Sequence, residues 1–170
     1  MAPTEDVERL VNRFHLTPHP EGGFYREVYR AADTVVHPGL PEGRDARRAA
    51  ATHIYFLFPA DDFSAFHRVV PTDEIWHLYA GSDLELHLIH ADGRYEKRLL
   101  TGDPAAGEPI AVVEAGCWQA ARVAPGGEWT FGGCTVAPGF DFADFEMPPA
   151  EEILRDQPQH EAIVRELTRR

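Results

Sequence analysis

The 170-residue chain carries 28 acidic and 16 basic side chains, a formal charge of −12 with histidine neutral, and 44% of its residues are hydrophobic. We expect a chain of this length and composition to fold as one globular domain over residues 1–170, with an acidic surface that repels phosphate backbones and disfavours nucleic-acid binding. Residues 1–6 lack the features of a signal peptide, and no apolar run of 18 residues could span a membrane, so a cytoplasmic location is expected.

The first predicted element is an amphipathic helix within residues 1–16. Thr4 can cap this helix with its hydroxyl group. Four apolar residues recur at helical spacing and form one stripe: Val7, Leu10, Val11 and Phe14. The prolines and glycines of the stretch 16–23 cannot continue a helix, so we expect the helix to end before them.

From Phe24 onward the apolar pattern has a period of two, which is typical of strands. Ten strands are predicted, at 24–30, 52–58, 64–69, 74–80, 84–90, 95–100, 110–113, 117–123, 128–131 and 134–137. Asp92-Gly93 indicates a tight hairpin. Short strands with frequent turns imply an antiparallel sandwich or barrel over residues 24–146, with a loop at 36–50 and a helical segment at 150–170.

His67 and Glu74, on consecutive predicted strands, have the clearest functional pattern. Strand alternation places both side chains and Trp76 on one inward face. A histidine and a carboxylate in such a place form either an acid/base pair or part of a metal site. A lone His67 could instead be a core histidine bonded to the backbone, but a buried carboxylate needs a partner or a shifted pKa, which favours the functional interpretation.

Other polar residues have weaker patterns. His77 should face away from His67 and Glu74, while Asp141 and Asp144 lie in an aromatic stretch that forms either a turn or the rim of a pocket. Cys117 and Cys134 could form one disulfide, although two buried thiols are favoured in a cytosolic protein. Three arginines are predicted to be solvated in the 36–50 loop: Arg44, Arg47 and Arg48.

Several motifs resemble the cupin superfamily, whose first motif matches the spacing of His67, Glu74 and Gly81. The functionally unassigned cupin-5 branch is the more specific match, because its hallmarks extend from residue 7 to about residue 146. Those hallmarks are His19-Pro20-Glu21-Gly22-Gly23-Phe24-Tyr25, Phe66-His67-Arg68, Asp73-Glu74-Ile75-Trp76-His77, Gly116-Cys117-Trp118-Gln119 and Ala137-Pro138-Gly139-Phe140-Asp141-Phe142. The resemblance implies an all-β fold, the double-stranded β-helix or RmlC-like jelly-roll barrel with short helices at both termini, and a homodimer.

The resemblance also implies that the metal cage of the superfamily is incomplete here. His67 and Glu74 match two of the four expected ligands, but Val69 and Gln119 stand where histidines are expected. Valine cannot coordinate a metal, and a neutral amide oxygen is a weak ligand for zinc, iron or nickel. We therefore expect no required cofactor, with a weakly bound divalent metal on His67, Glu74 and Gln119 as the alternative.

The leading hypothesis, from resemblance to the sugar-nucleotide epimerases of the superfamily, is an epimerase- or isomerase-like enzyme acting on a small polar metabolite. His67 would be the general base and Glu74 its partner. The substrate-binding candidates are Trp76, Gln119, Tyr25, Arg26, Tyr55 and Asp141, among which Arg26 suits a carboxylate or phosphate. The alternatives are a small-molecule-binding module without catalysis and a metal-dependent isomerase or oxygenase.

Overall fold

The computed structural model describes residues 5–37, 40 and 46–169, so Thr4, Arg44 and the other residues outside these ranges are not described. The helices are α1 (Glu5–Phe14), α2 (Ala150–Asp156) and α3 (Glu161–Glu166), with short 3₁₀ helices at Phe142–Asp144 and Pro158–His160. The strands are β1 (Thr17–Pro18), β2 (Phe24–Arg30), β3 (Thr34–Val36), β4 (Arg47–Ala49), β5 (Thr52–Pro59), β6 (Phe63–Val69), β7 (Glu74–Gly81), β8 (Leu84–Ile89), β9 (Tyr95–Leu100), β10 (Ile110–Val113), β11 (Trp118–Val123), β12 (Trp129–Val136) and β13 (Phe145–Glu146).

Two antiparallel sheets carry most of these strands. One has the order β1-β2-β5-β12-β7-β10, and the other has the order β13-β6-β11-β8-β9. Apolar side chains of both sheets meet in one core, among them Phe56, Trp76 and Leu86. The two sheets and the short helices at both ends confirm the predicted all-β jelly-roll barrel.

The helices cover the outer sides of the two sheets. The predicted stripe of α1 is confirmed, since Val7 and Phe14 pack with Leu57 and Phe131 of the six-stranded sheet, and the rings of Phe14 and Phe131 stack at 4.8 Å. On the five-stranded sheet, residues of α2 and α3 pack with Phe66 and its neighbours. None of the helices that the structure describes has the length and apolar character needed to cross a membrane.

Strand β12 differs from the prediction, which divided it at Gly132-Gly133. It is one continuous strand that pairs with β5 on one side and with β7 on the other. A Cβ atom at Gly132 would lie 2.2 Å from the His77 carbonyl oxygen, and one at Gly133 would lie 2.6 Å from Nε2 of His53. These glycines therefore permit close packing within the strand, where the sequence suggested a break.

The predicted loop at 36–50 contains part of a hairpin in the region that the structure describes, because β3 pairs with β4. Arg48 is buried rather than solvated: its Nε and Nη2 atoms lie 2.6 and 2.8 Å from the two carboxylate oxygens of Asp144. This ion pair joins β4 to the 3₁₀ helix Phe142–Asp144. Cys117 and Cys134 are both buried free thiols, as the sequence favoured.

His87, on β8, is a buried histidine whose Nε2 atom has no hydrogen-bond partner among the described residues. Its Nδ1 atom lies 2.8 Å from the Tyr95 hydroxyl. Burial first, and then the positive charge of Arg122, lower the pKa of His87 to about 4, while Glu85 opposes the shift. The other charged groups near the ring are Lys97 and Glu166.

We expect His87 to make the protein less stable in acid. The pKa of an unfolded histidine is about 6.5, so its contribution to stability is fully present above that pH and is lost as the pH falls towards 4. Wild-type protein should lose unfolding free energy between about pH 7 and pH 5, and His87→Gln should make that loss smaller by on the order of 1 kcal/mol, a value that allows for solvent screening. Urea unfolding of the wild-type protein and the variant at both pH values measures this difference in pH dependence. His15→Asn, at an exposed position, is the control, and equal pH dependence in both variants would contradict the prediction.

Candidate functional site

A cavity of about 510 Å³ opens into the space between the two sheets. This volume suits a small-molecule site. Strands of both sheets and the segment 140–145 contribute to its wall. Its polar side chains include His19, Glu21, His67, Glu74 and Cys134, and its aromatic ones are Tyr25, Phe140, Phe142 and Phe145. The cavity thus combines titratable groups with an aromatic border.

His67, on β6, is 2% exposed and presents one ring nitrogen towards Glu74. Its Nδ1 atom lies 2.8 Å from the carbonyl oxygen of Ala65. Because a carbonyl oxygen can only accept, Nδ1 carries the proton of the neutral ring and Nε2 is unprotonated. Nε2 lies 4.0 Å from Oε2 of Glu74, so this nitrogen is available as a base.

Glu74, on β7, is held by a chain of hydrogen bonds that begins at Trp76. The Trp76 indole nitrogen donates to Oε1 of Gln119 over 2.8 Å. Nε2 of Gln119 then donates to Oε2 of Glu74 over 2.6 Å. An indole N–H can only donate, which fixes the orientation of the amide. Trp76 and Gln119 therefore position the carboxylate and are not part of the cavity wall.

Glu21 is a second buried carboxylate, which the sequence analysis did not place in the site. Its Oε2 atom lies 3.2 Å from Nδ1 of His67 and 3.6 Å from Nδ1 of His19. Its Oε1 atom accepts a hydrogen bond of 3.1 Å from the hydroxyl of Ser64. The signal that could have identified it is the cupin-5 hallmark containing His19 and Glu21.

The loop that carries Glu21 is fixed by contacts from two other segments. Gly22 and Gly23 have φ values of 122° and 64°, which favour glycine. The amide of Gly23 donates to the Asp62 carboxylate over 2.7 Å. The Arg169 guanidinium donates to the carbonyl oxygen of Glu21 over 3.2 Å. These bonds hold Glu21 beside His67.

Burial disfavours charge on His67 and on three titratable groups near it. Desolvation raises the pKa of Glu21 and of Glu74, while the positive charge of His67 opposes the shift of Glu74. Desolvation likewise lowers the pKa of His67 and of His19. Perturbed groups of this kind cluster at reactive sites. The neutral imidazole of His67 is the form that can accept a proton.

The structure places the remaining site candidates differently. Tyr25 and Asp141 line the cavity, and Asp141 also accepts a hydrogen bond from the amide of Ala143 over 2.8 Å. Arg26 also lines the cavity, and its register partner on β5 is Tyr55.

Tyr55 is a correction, because it does not line the cavity. Its ring packs edge-on against Phe14 of α1 at 5.5 Å. Ile54 and Phe56, on either side of it in β5, face the interior, so alternation directs Tyr55 to the outer side. His77 also faces outward, as predicted, with Nε2 3.0 Å from the hydroxyl of Thr135.

The three residues named for a weak metal site are His67, Glu74 and Gln119, and Gln119 is engaged by its neighbours. Gln119 directs its amide nitrogen towards Glu74, and its oxygen accepts from Trp76. Of the three proposed ligands, only His67 and Glu74 therefore face one another with lone pairs that could bind a metal ion. Within the described ranges, no group of three or more His, Cys, Asp or Glu side chains is arranged to hold a metal ion.

Comparisons with known proteins agree with this architecture. The family model Cupin_5, described as cupin superfamily (DUF985), matches residues 8–148. The uncharacterized protein YML079W of Saccharomyces cerevisiae is 28% identical over 163 residues, which cover 90% of this chain and 80% of the yeast protein.

Two solved structures are similar over almost their whole length. A hypothetical protein from Leishmania major has a TM-score of 0.86 at 33% identity, covering 96% of this chain and 98% of that one. Protein SO0799 from Shewanella oneidensis has a TM-score of 0.83 at 35% identity, covering 99% of both chains. With the family model matching most of its length, this chain belongs to the DUF985 family of the cupin superfamily.

Proposed function

We propose that this protein is an enzyme that moves a proton on a small polar metabolite, as epimerases and isomerases do. His67 is the general base and Glu74 is the second acid/base group. The observation that carries the proposal is the unprotonated Nε2 of His67, which faces the Glu74 carboxylate across 4.0 Å in the cavity. A base must lie within hydrogen-bond reach of the proton that it removes, and a ligand in this cavity can approach both groups.

The proposed reaction begins with a C–H bond next to a carbonyl group. Nε2 of His67 takes the proton, the electron pair of the bond moves onto the carbonyl oxygen, and protonated Glu74 donates a hydrogen bond to that oxygen. The raised pKa of Glu74, caused first by burial, favours its protonated form. Return of the proton from Nε2 of His67 to the neighbouring carbon gives an isomer, while protonation of the opposite face by water, with His67 releasing its proton to solvent, gives an epimer.

The same side chains support a reaction that requires no metal. Nδ1 of His67 lies 3.2 Å from Oε2 of Glu21, an oxygen acceptor that stabilises the imidazolium ion formed when Nε2 takes the proton. The hydrogen bond from Nδ1 to Ala65 keeps the ring in one orientation. Binding, orientation and proton transfer are thus assigned to residues of this chain.

Uptake of deuterium from solvent tests the proposal across several classes of candidate substrate at once. The protein is incubated in D₂O with panels of aldoses, ketoses, amino sugars, 2-oxo acids and amino acids, and mass spectrometry follows each compound. Because a proton held on His67 exchanges with solvent, we expect one class of compound to gain deuterium at carbon, compared with heat-unfolded protein. A compound that raises the melting temperature but gains no deuterium would indicate a binding module, and no uptake in any class would contradict the enzyme proposal.

A further inference from the structure

We propose that the ligand of this cavity carries a flat aromatic group with a hydrogen-bond acceptor, which stacks on Phe142 at the mouth of the cavity and accepts a bond from Nε2 of His19. This inference rests on the proposed function for the choice of cavity. It adds the chemical class of the part of the ligand that lies outside the reacting centre. Three features of the described residues support it: an exposed aromatic surface, the contacts that fix this surface and a hydrogen-bond donor beside it.

The first feature is an aromatic surface at the mouth of the cavity. Phe142 is 53% exposed, and it lines the cavity together with Phe140 and Phe145. The ring centroid of Phe142 lies 5.0 Å from that of Phe140 and 6.1 Å from that of Phe145. A flat ring that stacks on Phe142 would remove this apolar surface from water and add a contact between aromatic rings.

The second feature is the set of contacts that fixes this aromatic surface. Phe142 begins the 3₁₀ helix Phe142–Asp144, which the buried ion pair of Asp144 with Arg48 joins to β4. On the N-terminal side of this helix, Arg30 of β2 donates to the carbonyl oxygen of Phe140 over 3.1 Å. A group that is held in position before binding loses little conformational freedom when the ligand arrives. An exposed phenylalanine on such a fixed support is therefore suited to bind a ligand ring.

The third feature is a hydrogen-bond donor of His19 beside the aromatic surface. The His19 side chain is 9% exposed and lines the cavity, and its ring lies 6.3 Å from that of Phe142 at an angle of 25°. Its Nδ1 atom accepts a hydrogen bond of 3.3 Å from the amide of Glu21, so the proton of the neutral ring is on Nε2. Burial lowers the pKa of His19 and so favours the neutral ring. Within the described ranges Nε2 has no hydrogen-bond partner, and an acceptor atom on the ligand would supply one.

The spacing of the rings connects the mouth of the cavity to the reacting centre. The ring of Phe145 lies 5.3 Å from that of His67 and 6.1 Å from that of Phe142. One molecule can therefore reach Nε2 of His67 with its reacting end and Phe142 with its aromatic end. A cavity of about 510 Å³ has room for both parts.

Isothermal titration calorimetry with three neutral probes near pH 7 tests the inference. Benzamide has a flat ring and a carbonyl acceptor, cyclohexanecarboxamide has the same acceptor on a puckered ring, and aniline has a flat ring without a strong acceptor. Because stacking and a neutral hydrogen bond each add modest stability, we expect benzamide to bind about three- to tenfold more tightly than either of the other probes. This comparison uses the wild-type protein, so it does not depend on the folding of a variant.

Two variants then assign the preference to the two side chains. Phe142→Leu keeps an apolar side chain and removes the aromatic face, so the preference for benzamide over cyclohexanecarboxamide should fall below about twofold. His19→Phe keeps a flat ring and removes the donor, so the preference for benzamide over aniline should fall in the same way. Tyr29→Leu removes an aromatic side chain of β2 that is exposed to a similar extent and does not line the cavity. This variant is the matched control and should retain both wild-type preferences.

The inference is overturned if cyclohexanecarboxamide or aniline binds as tightly as benzamide, if either variant retains the preference that it should lose, or if benzamide fails to bind at millimolar concentration. These results are separate from the test of the proposed function. Deuterium uptake without a preference for benzamide would retain the enzyme and remove this ligand class. A preference for benzamide without uptake in any panel would retain the ligand class and remove the enzyme.

Discussion

Replacing Asp144 by asparagine is expected to lower the free energy of unfolding by about 3–5 kcal/mol. Asp144 is 3% exposed and Arg48 is 7% exposed, and two hydrogen bonds of 2.6 and 2.8 Å join them. The variant would remove the counter-charge that Asp144 supplies to the buried Arg48 guanidinium, and removing one partner is the costly way to break such a pair. Urea unfolding near pH 7 measures the change.

The control for this variant is Glu151→Gln, which breaks an ion pair on the protein surface. Glu151 lies 3.0 Å from Arg165, and its side chain is 70% exposed. Exposed pairs contribute little to stability because solvent screens them, so this variant should remain close to wild type. If Asp144→Asn lost no more stability than Glu151→Gln, the burial of the Arg48–Asp144 pair in solution would be disproved.

The strand positions could be predicted from the sequence because alternation and turn residues are local signals. The bounds of β2 and β10 coincide with the predicted ranges 24–30 and 110–113. The division of β12 failed because Gly132 is required by its neighbours in β5 and β7, which are distant in sequence. For the same reason the burial of Arg48 could not be predicted, since its partner Asp144 lies 96 residues away.

Residues of the candidate site could be predicted where strand alternation determines which face of the sheet a side chain occupies. His67 and Glu74 converge from β6 and β7, which belong to opposite sheets and both direct these side chains inward. The role of Gln119 was not predictable, because the direction of its amide depends on a donor in the opposite sheet, Trp76. Glu21 was missed because a glycine loop with positive φ follows no strand or helix period.

Replacing His67 by asparagine is expected to reduce deuterium uptake into the substrate by about 10²–10⁴-fold. The amide group of asparagine can still donate to the carbonyl oxygen of Ala65, as Nδ1 of His67 does over 2.8 Å, but asparagine has no basic nitrogen in place of Nε2. The fold should be retained, and urea unfolding of the variant verifies this. Mass spectrometry in D₂O, with the compound class that responds to the wild-type protein, gives the rate.

His53→Asn is the matched control, because His53 lies on the outer side of the six-stranded sheet. Its Nδ1 atom lies 2.8 Å from the hydroxyl of Thr135, and it does not line the cavity. We expect this variant to exchange deuterium at the wild-type rate. Equal rates in the His67 and His53 variants would show that another group removes the proton. If Glu74→Gln alone abolished uptake while His67→Asn did not, that carboxylate, with its pKa raised by burial, would be the base instead.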